Sequence, residues 1–258
     1  MSFRLKAFAL HLAGSFALLA LAFGALYLGW YQWPAWYLLG AQAVIGLIVL
    51  VDLGLGPLAT LVVANPAKPR AELIRDIGLI AAIQIAALVY GLATLWQGRP
   101  MFYALTKNQV ELVTASDFDE QSLEQAHQKG ATVLPSLTAA PQWIWARMPD
   151  DVEQQIAIVT STLMTGQGIA TMPEHFRSWH EGLPALREQL RPLPSLIGKH
   201  GLNQPDYAKL LARLGGDEAA HGWLKLQGPR QEGVMVFERA HGQPKVFLAI
   251  TPKSRPKQ

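Results

Sequence analysis

FALHLAGSFALLALAFGALYLGW, residues 8–30, holds one imidazole and no formal charge over 23 residues. A helix of that length covers about 34 Å, enough to cross a hydrocarbon core of roughly 30 Å. A secretory signal would show a shorter apolar region, on the order of 7–15 residues, and no further runs of the same kind behind it. Here a second run lies within residues 37–63 and a third within 77–96. The sequence therefore predicts a membrane protein with a three-helix transmembrane anchor over residues 1–97. The rest of the chain reads as a small α+β domain over 98–250, outside the cytoplasm, and a basic tail over 251–258.

Composition separates the two parts. Half of the chain is hydrophobic and only 16% is charged, against about a quarter in an ordinary soluble protein. Between Ala7 and Ala64 the only acidic, basic or imidazole side chains are His11 and Asp52. After Gly98 there are 17 Lys and Arg against 16 Asp and Glu, and three of those cations, Lys253, Arg255 and Lys257, belong to the tail. The domain is thus near neutral and lacks the clustered basic face that nucleic-acid binding by counterion release needs. With no cysteine, disulfides, thiol catalysis and cysteine-held zinc or iron–sulfur sites are excluded.

Orientation follows from the cations. Arg4 and Lys6 precede the first span, and Lys68, Arg70 and Arg75 lie between the second and third. The connection Tyr31-Gln32-Trp33-Pro34-Ala35 is uncharged. Cations favour the cytoplasmic side, which places the N-terminus inside and everything after Trp96 outside, in the periplasm of a Gram-negative cell. Trp30, Tyr31, Trp33, Trp36, Tyr37 and Trp96 fall at one face, where aromatic rings prefer the headgroup layer.

Small residues recur four apart at Ala20/Gly24, Ala25/Gly29 and Ala87/Gly91, a spacing that lets helix backbones approach in lipid. They suit either a partner helix or packing within the anchor. Asp52 stands out more, because a carboxylate in a span costs about 2.5–3.5 kcal/mol on insertion scales. It is expected to face protein or water, with Gln84, His11 or Arg75 as neutralising partners. Gly54, Gly56 and Pro57 come after it and loosen the helix. Asp52, Gly56, Pro57, Gln84, Ala87 and Gly91 are thus candidates to contact a partner helix, a purely structural role remaining open. An intramembrane aspartyl protease needs two carboxylates at one site, and the only mate for Asp52, Asp76, lies at the membrane boundary.

In the outer domain the patterns predict strands over Met101–Leu105 and Val110–Val113, joined by a turn at Thr106-Lys107-Asn108-Gln109. A helix is expected from Ser116-Asp117-Phe118-Asp119-Glu120 to about Lys129, stopped by Gly130. A strand over Trp143–Met148, helices over Val152–Met164, Glu181–Leu190 and Asp206–Leu214, and a terminal antiparallel meander (Trp223–Gln227, Gly233–Arg239, Pro244–Ile250) complete the domain. Chemical signals are sparse. His175 and His180 lack the i, i+4 spacing of a helical zinc pair. Gly166-Gln167-Gly168 lacks the lysine of a phosphate loop, and Ser161 and Ser178 lack a nucleophile elbow. His221 and His241 fall in turn positions and read as surface polar residues. No catalytic, cofactor or metal site is expected, and the chain does not read as an enzyme.

Taken together, these landmarks resemble the TfpX/TfpZ family of type IV pilin accessory proteins. The resemblance rests on Lys6-Ala7-Phe8 with His11-Leu12, Trp30-Tyr31, Pro34, Val51-Asp52 with Leu55-Gly56-Pro57, Leu61 and Pro66. It continues through Arg75-Asp76-Ile77, Gln84, Ala87, Tyr90-Gly91 and Gly98-Arg99-Pro100, and returns at Gly222-Trp223-Leu224 and Gly228. Lys107-Asn108-Gln109 and the ending Thr251-Pro252 depart from the pattern. The resemblance implies a multi-pass bacterial inner-membrane protein, without enzymatic activity, that helps assemble type IV pili by acting on a major pilin. The alternative is a membrane-anchored sensor whose outer domain binds a small ligand, which would need a well-formed polar-lined pocket.

Overall fold

The computed structural model describes residues 2–129, 131, 133, 134, 136, 139–198 and 202–250. The chain divides into two compact units, Met1–Arg99 and Pro100–Gln258.

The first unit is helical. α1 runs over Phe3–Gly29, with the Ser2 hydroxyl accepting from the Leu5 amide at its start. A short α2, Ala35–Leu38, leads to Gly40 at φ 65°, a left-handed turn that only glycine adopts without strain, and so into α3, Ala41–Val49. A π-helical turn over Leu50–Leu55 joins α3 to α4, Gly56–Val63. α5 spans Arg70–Gln97. Among the described residues three helices are long and apolar enough to cross a membrane: Phe3–Gly29, Ala41–Val63 and Arg70–Gln97. α1 and α5 begin five and seven residues before the apolar runs do, because hydropathy marks the lipid boundary and not the helix end. Before and across the first two turns of α5, Lys68 bonds Asp76 at 2.8 Å and Glu72 at 3.4 Å, which stabilises helix outside the apolar run.

The second unit is an α+β domain on one mixed sheet. Its strands are β1 Pro100–Leu105, β2 Gln109–Thr114, β3 Gln142–Ala146, β4 Phe176–Ser178, β5 His221–Gln227, β6 Glu232–Glu238 and β7 Pro244–Leu248. They lie in the order β4-β3-β1-β2-β5-β6-β7. The pairs β1–β3 and β2–β5 are parallel and the rest antiparallel, including the terminal meander β5-β6-β7. Side chains two apart share a face. Phe102 and Ala104, Ile144 and Ala146, with Val113 and Phe176, therefore build one core cluster. The helices are α6 Glu120–Gln128, α7 Val152–Thr165, α8 Leu183–Gln189 and α9 Gln204–Arg213. Trp223, Val234 and Val236 build a second cluster, with Tyr207 and Leu210 from α9. Trp223 is 1% exposed, and its indole N–H donates to the Ser195 hydroxyl at 2.9 Å and the Pro192 carbonyl at 3.1 Å.

Four expectations change. Ser116 does not open α6; Thr114 and Asp117 cap each other across a 3-10 turn at Ala115–Asp117, and α6 begins only at Glu120. α8 starts only at Leu183, with Gly182 as its N-cap and Pro184 in its first turn, where a missing amide costs nothing; the Glu181 carboxylate before it accepts from the Ser178 hydroxyl at 2.7 Å. The short edge strand β4 has no counterpart among the strands that the sequence pattern predicts. His221 is no surface turn residue: it opens β5, is buried, and its Nδ1 lies 2.8 Å from the Asp217 carbonyl. Gly130 and the basic tail over 251–258 lie outside the described residues.

β4 is blocked against further pairing. The Ser178 amide donates to Glu181, and the Arg177 guanidinium covers the Phe176 carbonyl at 2.7 Å and that of Glu174 at 3.1 Å. Protected edges of this kind prevent adventitious strand addition.

Candidate functional site

Asp52, Gly56, Pro57 and Gln84 form one constellation, and its cause is Pro57. In the π-turn the Gly56 amide bonds the Val51 carbonyl, five residues back. The next amide in that register would serve the Asp52 carbonyl, but position 57 is proline and has none. An unpaired carbonyl inside a bilayer costs several kcal/mol. The Gln84 amide of α5 supplies the missing donor, at 3.1 Å from the Asp52 carbonyl and 3.3 Å from its side-chain Oδ1. Gly56 makes room for this: a Cβ there would stand 2.0 Å from the Gln84 amide nitrogen. A prolyl break, a glycine window and a glutamine on the neighbouring helix are therefore three parts of one repair.

Asp52, Gly56, Pro57, Gln84 and Gly91 are all buried among the chain's own helices. Gly91 receives Ile48, whose Cδ1 would lie 2.4 Å from a Cβ at that position. Ala87 is half-buried, and Cβ atoms at Gly24 and Gly29 would meet nothing within 4 Å. His11 does not bond Asp52. Its Nδ1 lies 2.6 Å from the hydroxyl of Thr60, a buried residue that sequence reasoning passes over and that ties α1 to α4. Arg75 contacts Asp76 at 3.4 Å, and Asp76 is bonded by Lys68 at 2.8 Å, so Asp76 is engaged at the start of α5 and not with Asp52. At the end of α5 the Gly98 amide bonds the Thr94 carbonyl at 3.0 Å, and the Arg99 guanidinium lies 4.2 Å over the Trp96 ring, donating to that residue's carbonyl at 2.6 Å. Pro100 opens β1.

The second unit holds an open groove of about 790 Å³, lined by Lys129, Arg147, Asp150, Gln154, His175 and Arg177 among others. Lys129 pairs with Glu174 at 3.2 Å and Arg147 with Asp150 at 2.7 Å. Burial holds the His175 imidazole below its ordinary pKa, against the opposing pull of Glu174. Among the described residues no three His, Asp or Glu side chains converge in the manner of metal ligands.

Three fimbrial assembly proteins of Dichelobacter nodosus are similar to this chain. That of serogroup I is 30% identical over 211 residues, covering 80% of this chain and 79% of the relative. That of serogroup E1 is 26% identical over 224 residues, 84% of each. That of serogroups C1 and C2 is 30% identical over 124 residues, 48% of this chain and 95% of the relative. No family model and no solved structure matches the chain.

Proposed function

The chain belongs to the family of the fimbrial assembly proteins, and from that premise we propose that it assists assembly of type IV pili as a non-catalytic inner-membrane accessory protein acting on one particular pilin. The carrying observation is the reach of the kinship. A match of 211 residues exceeds the span of either unit, 1–99 or 100–258, so the helices and the α+β domain descend together as one device.

In this reading residues 1–97 anchor the chain, with the N-terminus cytoplasmic, and residues 98–250 form a periplasmic domain. A pilin awaiting assembly presents an apolar helix in lipid and a globular head outside, so a helper with matching parts could hold both. The constellation of Asp52, Gly56, Pro57 and Gln84, with Gly91, shapes the face that a pilin helix meets. Half-buried Ala87 is the member with room for direct contact. The sensor alternative draws on the groove beside α7, but Lys129 and Arg147 already have acid partners there, which lowers their appetite for an anionic ligand.

Deletion of the gene should reduce surface piliation while unassembled pilin stays in the membrane. Unchanged piliation and twitching in the deletion strain would sink the proposal. Asp52→Asn tests the site itself: normal pilus assembly at intact protein levels removes any functional role for that carboxylate.

A further inference from the structure

Two buried oxygens of the first unit, Asp52 Oδ2 and Gln84 Oε1, have no hydrogen-bond partner. Their residues are 5% and 4% exposed, so bulk water does not reach them. The two orphans belong to side chains that already touch: the Gln84 amide nitrogen donates to Asp52 Oδ1 at 3.3 Å and to the Asp52 carbonyl at 3.1 Å. That carbonyl, deprived of its helical donor by Pro57, fixes which way the amide points, because a carbonyl only accepts. The reverse orientation would set oxygen against oxygen. Both amide hydrogens are then spent on Asp52, and the orphans are the remaining ends of the same two planar groups. An ionised carboxylate also only accepts, so in that form Asp52 satisfies neither itself nor Gln84. Buried acceptors left without a donor are costly, and in a bilayer more so.

We propose that Asp52 is a proton-binding site: it holds one proton as a neutral carboxylic acid, and its Oδ2–H donates to Gln84 Oε1. Acid and amide then close a ring, with N–H donating one way and O–H the other. A single proton removes both orphans, and with them the charge that makes a carboxylate expensive in a span. A bonded cation is the other way to neutralise Asp52, and its surroundings supply none. The π-turn is packed by α1, α3, α4 and α5. α3 and α4 carry no titratable side chain. His11 faces Asp52 from α1, but its Nδ1 is engaged with Thr60 at 2.6 Å, and Arg4 and Lys6 are exposed at the start of that helix. On α5 the charged groups Arg70, Glu72, Arg75 and Asp76 all precede Gln84 by about two turns or more, and Lys68 holds both acids. The proton makes the joint conditional. When it leaves, a charged oxygen stands against Gln84 Oε1 and the tie between the second span and α5 loosens. The joint therefore holds at lower pH and weakens as the pH rises through the point at which Asp52 ionises. None of this depends on which partner the chain serves.

Infrared difference spectra of the full-length chain in lipid bilayers near neutral pH test the proposal. The wild type should show a carboxylic-acid carbonyl band that shifts in heavy water and is missing from Asp52→Asn. In Gln84→Met the band should move, because its proton has lost its acceptor. Should that variant fail to insert, the wild type carrying isotope-labelled glutamine gives the same answer: raising the pH should remove the acid band and shift a buried glutamine amide band in step. A wild-type spectrum without the acid band means a carboxylate and overturns the proposal. An acid band that is independent of Gln84 in these measurements puts the proton elsewhere, which overturns it too.

Discussion

The two units obey one rule in opposite solvents. In the first, large apolar side chains such as Leu10, Leu21, Leu28 and Val62 point outward, and the polar groups Asp52, Thr60 and Gln84 are buried. In the second, Trp223, Phe102, Phe176 and Phe237 are inside, and among the described residues α7 alone carries its large apolar side chains outside. Water drives apolar surface inward; lipid offers no such drive, and there the cost of an unpaired backbone group takes over. The comparison teaches where each unit is vulnerable: the second in its packed volume, the first in its hydrogen-bond accounting.

The largest effect is expected where volume matters most. Trp223→Ala removes a fully buried indole and both of its hydrogen bonds, at a cost of about 3–5 kcal/mol. Thermal unfolding of the full-length chain in detergent, followed at the second unit by proteolysis, measures it. A loss below about 1 kcal/mol would mean that the core around α9 is not the support its burial implies.

A smaller effect tests the first unit by its own rule. Gln84→Met keeps volume but leaves the Asp52 carbonyl without a donor, at a cost of about 1–3 kcal/mol. Pro57→Ala restores an amide at the position that serves that carbonyl. The double variant should therefore be more stable than the two single losses added together, a coupling that a double-mutant cycle reads directly. Strict additivity would break the link between Pro57 and Gln84.

How much of this is legible in the chain depends on the range of each interaction. The three spans are legible because an apolar run of about 20 residues has no other use. The loosening at Asp52-Leu53-Gly54-Leu55-Gly56-Pro57 is legible too, since glycine and proline act locally. That Gln84 answers it through a backbone carbonyl is not, because the contact depends on how α5 is rotated 32 residues away. Periodicity finds the β5-β6-β7 meander. It misses β4, whose three residues are too few to alternate, and the parallel β2–β5 pairing, which joins strands far apart in the chain. His221 escapes it because a strand can begin inside what looks like a turn. The exposed ridge of α7 is visible as a helix but not as a surface, since a sequence does not say which face a helix turns inward.

The edge strand gives a weaker, pH-dependent effect. Hydrogen bonds from Ser178 hold the Glu181 carboxyl below its ordinary value of 4.5. A depressed pKa means that the contribution is complete above pH 4.5 and is lost as the pH falls through the lower folded value. Hydrogen exchange at β4 should thus speed up on acidification below that point. Glu181→Gln should remove this dependence; an unchanged acid response would place its origin elsewhere.

The smallest expected change is also the most discriminating. If α7 packs on its own unit, Leu163→Gln should destabilise the chain as any core substitution does. With Leu163 82% exposed, unfolding of dilute, detergent-dispersed protein should instead shift by less than about 0.5 kcal/mol. A side chain that is silent for folding is used by its own unit no more than the outward-facing leucines of the first unit are used by theirs.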